Sequence, residues 1–367
     1  MSSSVSYALD HAPKGTSRFA RWEGDEEPTI GTFRSSEPKL VEEEETEDEG
    51  NGAGDALAFI AHFNPGDRLF TEMGGASDKI CLAVARRGVA VFRIPTFELK
   101  QARVVMGMEP LDNVRVLCRL SRDEPAKFYP LRAVDQKILE LRVFTRGYVM
   151  VQREVRIKTQ LRLLGILRDL RLIEGLPEAE TEEKKEFLNK NPIFTGAAAY
   201  EEELKKKVAE LLKGIPLYRA VFEPIRGVGP LIGGALMAEM QDIRRFPTAA
   251  ALKAYAGYHL TPEGKRPIRG QDHWNANLKQ AVFKWVEATQ KQPKGTEWRD
   301  KLEARVLYEK SQHPKKIKDE ADKTRFNPGH LRNRAKRWLA QQFLEYVWRE
   351  WAKFEGLAVV EGRLEAA

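Results

Sequence analysis

Four carboxylates stand in the first third of the chain where they could hold metal. Asp10 closes an apolar stretch, Val5 to Leu9, that reads as a short strand. Glu72 closes a second, Arg68 to Thr71, just before Gly74 and Gly75. Glu109 and Asp112 flank Pro110, a residue accepted in the first turn of a helix. Their spacing of three would put both on one helix face. Hard oxygen donors from separate elements are what Mg²⁺ or Mn²⁺ requires. Two such ions a few ångströms apart could activate a water and stabilise the leaving oxygen in phosphodiester cleavage. Each acid also has an ordinary explanation: Asp10 as a turn residue, Glu109 as a helix cap, Glu72 as a surface residue. Their joint order makes them candidates.

A second set of residues is basic. The stretch Phe222 to Tyr258 opens with the turn Arg226-Gly227-Val228-Gly229-Pro230, which leads into a helix and then the pair Arg244-Arg245. A Gly-x-Gly turn at a helix start presents backbone N–H groups to a phosphate, and it serves equally as a tight structural turn. The loop from Thr261 to Trp274 carries Lys265, Arg266 and Arg269. The last long helix, from about Gly329 to Phe354, begins with Arg332, Arg334, Lys336 and Arg337. Its body holds Trp338, Phe343, Tyr346, Trp348 and Trp351. The aromatic stripe suits a core or dimer contact better than a base-stacking platform. The basic end is the stronger nucleic-acid candidate.

The elements that must position these groups fall into three parts. Strands are expected at Val5 to Leu9, Arg18 to Trp22, Thr29 to Phe33, Arg68 to Thr71 and Val89 to Ile94. Helices are expected at Asp55 to Phe63, capped by Asp55, at Asp78 to Arg87 and at Glu98 to Arg103. A meander followed by alternating strands and helices predicts an α/β domain with a mixed sheet over residues 1–130. From Ala133 to about Ile173 one long helical stripe takes over, broken by Pro177 and the charged stretch Glu178 to Glu186. It resumes at Tyr200. An antiparallel helical arm over 131–220, its tip near 175–197, is the expected form. Residues 221–360 read as a small all-helical domain.

Bulk properties narrow the function classes. The chain has 367 residues, 42% of them hydrophobic, and a net charge of +7. No uninterrupted apolar run is long enough to span a membrane, and MSSSVSYALD lacks a signal-peptide pattern. A cytoplasmic protein is expected. The two cysteines, Cys81 and Cys118, sit in apolar surroundings and read as core thiols. The acidic run Glu42 to Glu49, ahead of Gly50-Asn51-Gly52, has the composition of a disordered insertion at about 36–54. With it set aside the remainder is strongly basic, which favours an anionic partner.

Gly227 to Gly257 resembles the helical module of insertion-sequence recombinases of the Piv type, which carry G-I-G-P…A…L…E…G-D-I-x-R-F…A-x-A-x-Y-A-G. It is also similar to the Nop domain of box C/D ribonucleoproteins and of the Tas proteins of tandem interspaced guide RNA systems. The order of the four acids resembles a RuvC-like nuclease domain of the ribonuclease-H type. Glu72-Met73-Gly74-Gly75 and Gly88-Val89-Ala90-Val91 match the pattern around its middle acid. The family's late D-x-x-D is Glu109-x-x-Asp112 here. The recombinases carry a nucleophilic serine soon after A-Y-x-G, yet YHLTPEGKRPIRGQDHWNANLKQ has none. Retained acids beside a missing serine resemble the RuvC-bearing Tas type, TasR. That resemblance implies an RNA-guided, Mg²⁺-dependent DNA endonuclease. It implies Asp10, Glu72, Glu109 and Asp112 as metal ligands, a guide RNA on the Nop-like module, double-stranded target DNA, and a homodimer without membrane. Arg226, Gly227, Gly229, Arg244, Arg245, Lys265, Arg266 and Arg269 are then the RNA candidates. Arg332, Arg334, Lys336 and Arg337 serve either nucleic acid. A guided transposase, in which Thr261 could supply the hydroxyl, and a non-catalytic guide-RNA scaffold remain as alternatives.

Overall fold

A computed structural model describes residues 4–12, 16–34, 56–75, 77–109, 112–260, 265, 267–268, 274–313 and 328–364. The expected acidic insertion at 36–54, the Asp55 cap, Pro110, Thr261, Arg266 and Arg269 lie outside the described residues. The chain forms two compact units. The first comprises Met1–Leu139 with Gln241–Pro247 and Leu364–Ala367, and the second Glu140–Met240 with Thr248–Arg363.

The first unit is built on a six-stranded mixed sheet of order β3-β2-β1-β4-β5-β6. The strands are β1 (Val5–Asp10), β2 (Thr16–Glu23), β3 (Thr29–Arg34), β4 (Arg68–Glu72), β5 (Ala90–Ile94) and β6 (Tyr129–Pro130). β1, β4 and β5 run parallel, while β2, β3 and β6 pair antiparallel. β1 is buried at four consecutive positions. That pattern belongs to a strand covered on both faces. On one face Tyr7, Leu9, Leu69 and Val91 pack under α1 (Ala56–Ala61) and α2 (Asp78–Ala85). On the other, Ala8, Phe70 and Ile94 pack under α3 (Thr96–Val105) and α4 (Asn113–Asp123). Cys81 and Cys118 are free thiols in these two cores. Burial pushes both up to about 12, so they stay protonated.

Of the two late acids, Asp112 is a 3₁₀ residue and the N-cap of α4, which begins at Asn113, and its N–H donates to the Glu109 carbonyl at 2.9 Å.

The second unit is helical. α5 (Ala133–Met150) carries the boundary between the units and runs through a widened π turn, Val151–Ile157, into α6 (Lys158–Ile173). The charged stretch lies between α6 and α8 and itself builds α7 (Thr181–Asn189), with Lys185 paired to Glu182 and Lys190 to Glu186. Neighbouring opposite charges at these spacings support a helix. α8 (Pro192–Lys213) starts on the Asn191 side chain, which accepts from the Ile193 and Phe194 N–H groups. Tyr148, Val151 and Leu204 pack together with Leu231 of α9 (Pro230–Met240).

α10 (Ala249–Tyr255), α11 (Ala276–Gln290), α12 (Glu297–Gln312) and α13 (Pro328–Phe354) complete the unit. Trp285 stacks on Phe343 at 3.8 Å and meets Trp298 edge-on at 5.2 Å. Trp348 and Trp351 are fully buried. These aromatic residues of α13 are therefore core. Gly233 is required by a close approach: a Cβ there would lie 2.6 Å from the Tyr218 ring.

Candidate functional site

The carboxyl ends of β1 and β4 place two of the four acids together. The strands are parallel neighbours, with Leu9 opposite Thr71, so the next residue on each is Asp10 and Glu72. Side chains alternate along a strand. Ala8 and Phe70 face α3 and α4, and so do Asp10 and Glu72. Asn113, the first residue of α4, donates from Nδ2 to Asp10 Oδ2 at 3.3 Å and accepts from Arg103 at 3.0 Å. The strand ends are tied by Thr71 Oγ1, which donates to the Leu9 carbonyl at 2.8 Å, and by the Met73 N–H, which donates to the Ile94 carbonyl at 2.7 Å.

Burial pushes the Glu72 carboxyl above its ordinary value, and the negative charge of Asp10 adds to the rise; Arg245 and Lys100 pull the other way. Two carboxylates that repel each other in a half-dry corner suit a cation. Glu109 is exposed, and Asp112 lies 3.6 Å from Arg115. Among the described residues no group of three or more His, Cys, Asp or Glu side chains stands close enough to hold a metal ion. The structure thus joins Asp10 to Glu72 and leaves Glu109 and Asp112 outside that pair.

After Glu72 the chain turns through Gly74 and Gly75, at φ +82° and +87°, which a Cβ would strain. The Arg245 guanidinium occupies the space over Gly74, its Nη2 2.8 Å from where a Cβ would stand. Arg245 arrives on Gln241–Pro247, a segment anchored in the first unit. Gln241, at φ +64°, donates from Nε2 to Asp78. Arg244 grips Asp242 with two bonds of 2.9 and 2.8 Å and lies over the Tyr129 ring. Arg93, only 1% exposed, stands 3.9 Å from both Asp135 and Asp242. Burial alone would raise the Asp242 carboxyl, but Arg244 and then Arg93 hold it below its usual range.

The other basic candidates are dispersed over the second unit. Arg226 is exposed at the glycine turn, and its carbonyl accepts from Gln292 Nε2 at 2.9 Å. That same amide fills the space beside Gly227 (φ +89°), whereas nothing crowds Gly229. Lys265 is exposed. On α13, Arg332 donates to Gln290 at 3.0 Å, Arg334 to Glu309 at 2.7 Å and Lys336 to Glu287 at 2.8 Å. Arg337 donates to the His259 carbonyl and covers the Tyr258 ring.

Several residues escaped the sequence reading. Asn113 and Arg103 orient Asp10, and the only signal for Asn113 was its place next to Asp112. In the second unit Glu239, 1% exposed, is held by Arg146 at 2.7 and 2.8 Å, by Asn275 at 2.8 Å and by Arg142 at 3.7 Å. Burial would raise its carboxyl, but Arg146 and Arg142 bring it below the ordinary value. A largely apolar cavity of about 240 Å³ lies beside it, lined in part by Leu231, Ala235 and Lys284.

Residues 219–298 match the model of the transposase IS116/IS110/IS902 family. The matched stretch holds the glycine turn, Arg244, Arg245, Glu239 and α11, and it supports the transposase-related part of the resemblance. No curated protein gives a significant match to the chain. Among the described residues no helix is long and apolar enough to cross a membrane.

Proposed function

We propose that the chain is a nucleic-acid-cleaving enzyme related to transposases, and more narrowly an RNA-guided, metal-dependent DNA endonuclease. The observation that carries the cleavage reading is the pairing of Asp10 with Glu72 at the ends of adjacent parallel strands. The strand order and the acids' place on it support a RuvC-like fold of the ribonuclease-H type. Match to a transposase family over 219–298 supports the relationship to DNA-rearranging enzymes. The guided part rests on the resemblance of Gly227 to Gly257 to Nop and Tas modules, and so do the Nop-like domain, the homodimer and the arm. The same resemblance supports a cytoplasmic site of action.

Asp10 and Glu72 fit Mg²⁺ or Mn²⁺. They offer hard oxygens from two rigid elements, and their mutual repulsion is relieved by a cation. Magnesium is commonly held by one or two carboxylates, with waters and substrate phosphates completing its shell. When bound, the ion would supply an activated water and charge stabilisation for the leaving oxygen. The chain's own part is to hold the acids. Asn113, fixed by Arg103, orients Asp10, and the Thr71 and Met73 bonds fix the strand ends. Glu109 and Asp112 are proposed as further ligands.

The decisive experiment uses the protein purified with its co-expressed RNA and a plasmid carrying sequence complementary to that RNA. Glu72→Ala should abolish Mg²⁺-dependent cleavage while the RNA is retained. Undiminished cutting by the variant would rule out this metal site. A second reading, a guided transposase, is favoured by the family match. A protein–DNA adduct that survives denaturation and is lost in Thr261→Ala would establish it over simple cleavage.

A further inference from the structure

We propose that Arg245 belongs to the cleavage site as a phosphate clamp: its guanidinium, laid over Gly74, binds a non-bridging oxygen of the scissile phosphate next to Asp10 and Glu72. This inference rests on the cleavage reading above and adds a residue to it from a distant part of the sequence.

Three observations carry the assignment. The first is position. Gly74 follows Glu72 by two residues, and the guanidinium occupies the room its missing side chain leaves, with Nη2 at 2.8 Å and Cζ at 2.9 Å from an ideal Cβ. Gly75 then bends the chain back so that its own Cβ position lies 3.8 Å from Glu72 Oε1. The cation therefore shares one small loop with the acid.

The second is how firmly the cation is delivered. Gln241–Pro247 departs from ordinary backbone at Gln241 and is pinned by Gln241 to Asp78 and by the Asp242–Arg244–Arg93–Asp135 network. Arg93, Asp135 and Asp242 are all buried. Buried charge is costly and is seldom the cheapest way to hold a loop. Here it fixes the residue beside Arg245, leaving Arg245 half-buried with Nη1 3.4 Å from Gln241 Oε1.

The third is chemistry. Two carboxylates repel a phosphodiester, and a divalent ion offsets only part of the charge that develops during cleavage. A fixed, planar donor pair aimed at phosphate oxygens is the usual complement. Arg244, its neighbour, grips Asp242 with its fork.

The test compares wild type, Arg245→Ala, Arg245→Lys and Glu72→Ala, each with its co-purified RNA, on the complementary plasmid. Arg245→Ala should lower kcat about 100-fold with RNA retention unchanged, and Arg245→Lys should recover part of it. Mn²⁺ titration of the same proteins without DNA gives an independent readout. Removing a cation beside the acids should tighten Mn²⁺ binding several-fold, whereas collapse of the loop would weaken it. Near wild-type kcat for Arg245→Ala, beside an inactive Glu72→Ala, would overturn the clamp alone. Weakened Mn²⁺ binding would overturn it too, and loss of RNA with kcat preserved would move Arg245 to the RNA surface. An active Glu72→Ala would instead overturn the cleavage reading beneath it.

Discussion

Two carboxylates, a buried one in the second unit and a half-buried one in the first, have been given opposite settings. Glu239 has every oxygen answered, by the Arg146 fork and by Asn275, and is held below its ordinary titration range. Glu72 sits at a strand end with another acid as its neighbour, and burial followed by Asp10 pushes it above that range. A saturated carboxylate is a structural bolt, because anything that removes it takes a buried counter-charge from two arginines. An unsaturated one has capacity left for a ligand. Burial of an acid does not by itself mark a reactive site, and the sign of the shift separates the two cases.

That contrast can be broken by substitution. The largest effect expected is on chemistry: Glu72→Ala should cost at least about a thousandfold in cleavage rate, since it would remove a proposed ligand of the charge-stabilising ion. Its melting temperature should hold or rise, because a disfavoured charge has gone. Glu239→Ala should do the reverse, destabilising the protein by about 3–5 kcal/mol through the uncompensated Arg146 and Arg142, which a urea midpoint would record. Equal stability losses in the two variants would dissolve the distinction. Gly233→Ala offers a packing reference in the same unit as Glu239, since its new methyl would meet the Tyr218 ring. Overpacking of that kind costs about 1–3 kcal/mol.

The smallest effect is on pH dependence. Glu239 is ionised more readily in the folded than in the unfolded chain. Its contribution is complete above the unfolded value of 4.5 and disappears as pH falls through the lower folded value. Glu72 has the opposite sign: its penalty is full at neutral pH and is relieved as pH falls through its raised folded value toward 4.5. Denaturation curves at pH 4 and pH 7 should therefore converge for wild type and Glu239→Gln as acid is added. For Glu72→Gln the gain over wild type should be largest at pH 7.

Much of the first unit was legible because its strands are short apolar runs with sharp ends. β1, β4 and β5 lie within a residue of where Val5 to Leu9, Arg68 to Thr71 and Val89 to Ile94 placed them, and Asp10 and Glu72 follow from those ends. The start of α4 was legible to within a few residues, since Glu109 and Asp112 directly precede Asn113. The partners of the basic residues were hidden. Arg334 finds Glu309 25 residues away and Lys336 finds Glu287 49 residues away, on other helices. A run of cations looks unattached until the fold supplies its acids. Arg245 shows the converse, a residue grouped by sequence with Arg244 and by space with Glu72.

The interposed segment Gln241–Pro247 also sets an order of events during synthesis. A ribosome that has released the first 139 residues has made the sheet but not the strand of chain that finishes its loop and brings Arg245 to Gly74. Roughly a hundred further residues must emerge, about 5–20 s of translation at ordinary speeds. Until then the nascent first unit is incomplete. A message truncated between the two points yields a protein that can pair its strands yet lacks the segment that lays Arg245 over Gly74.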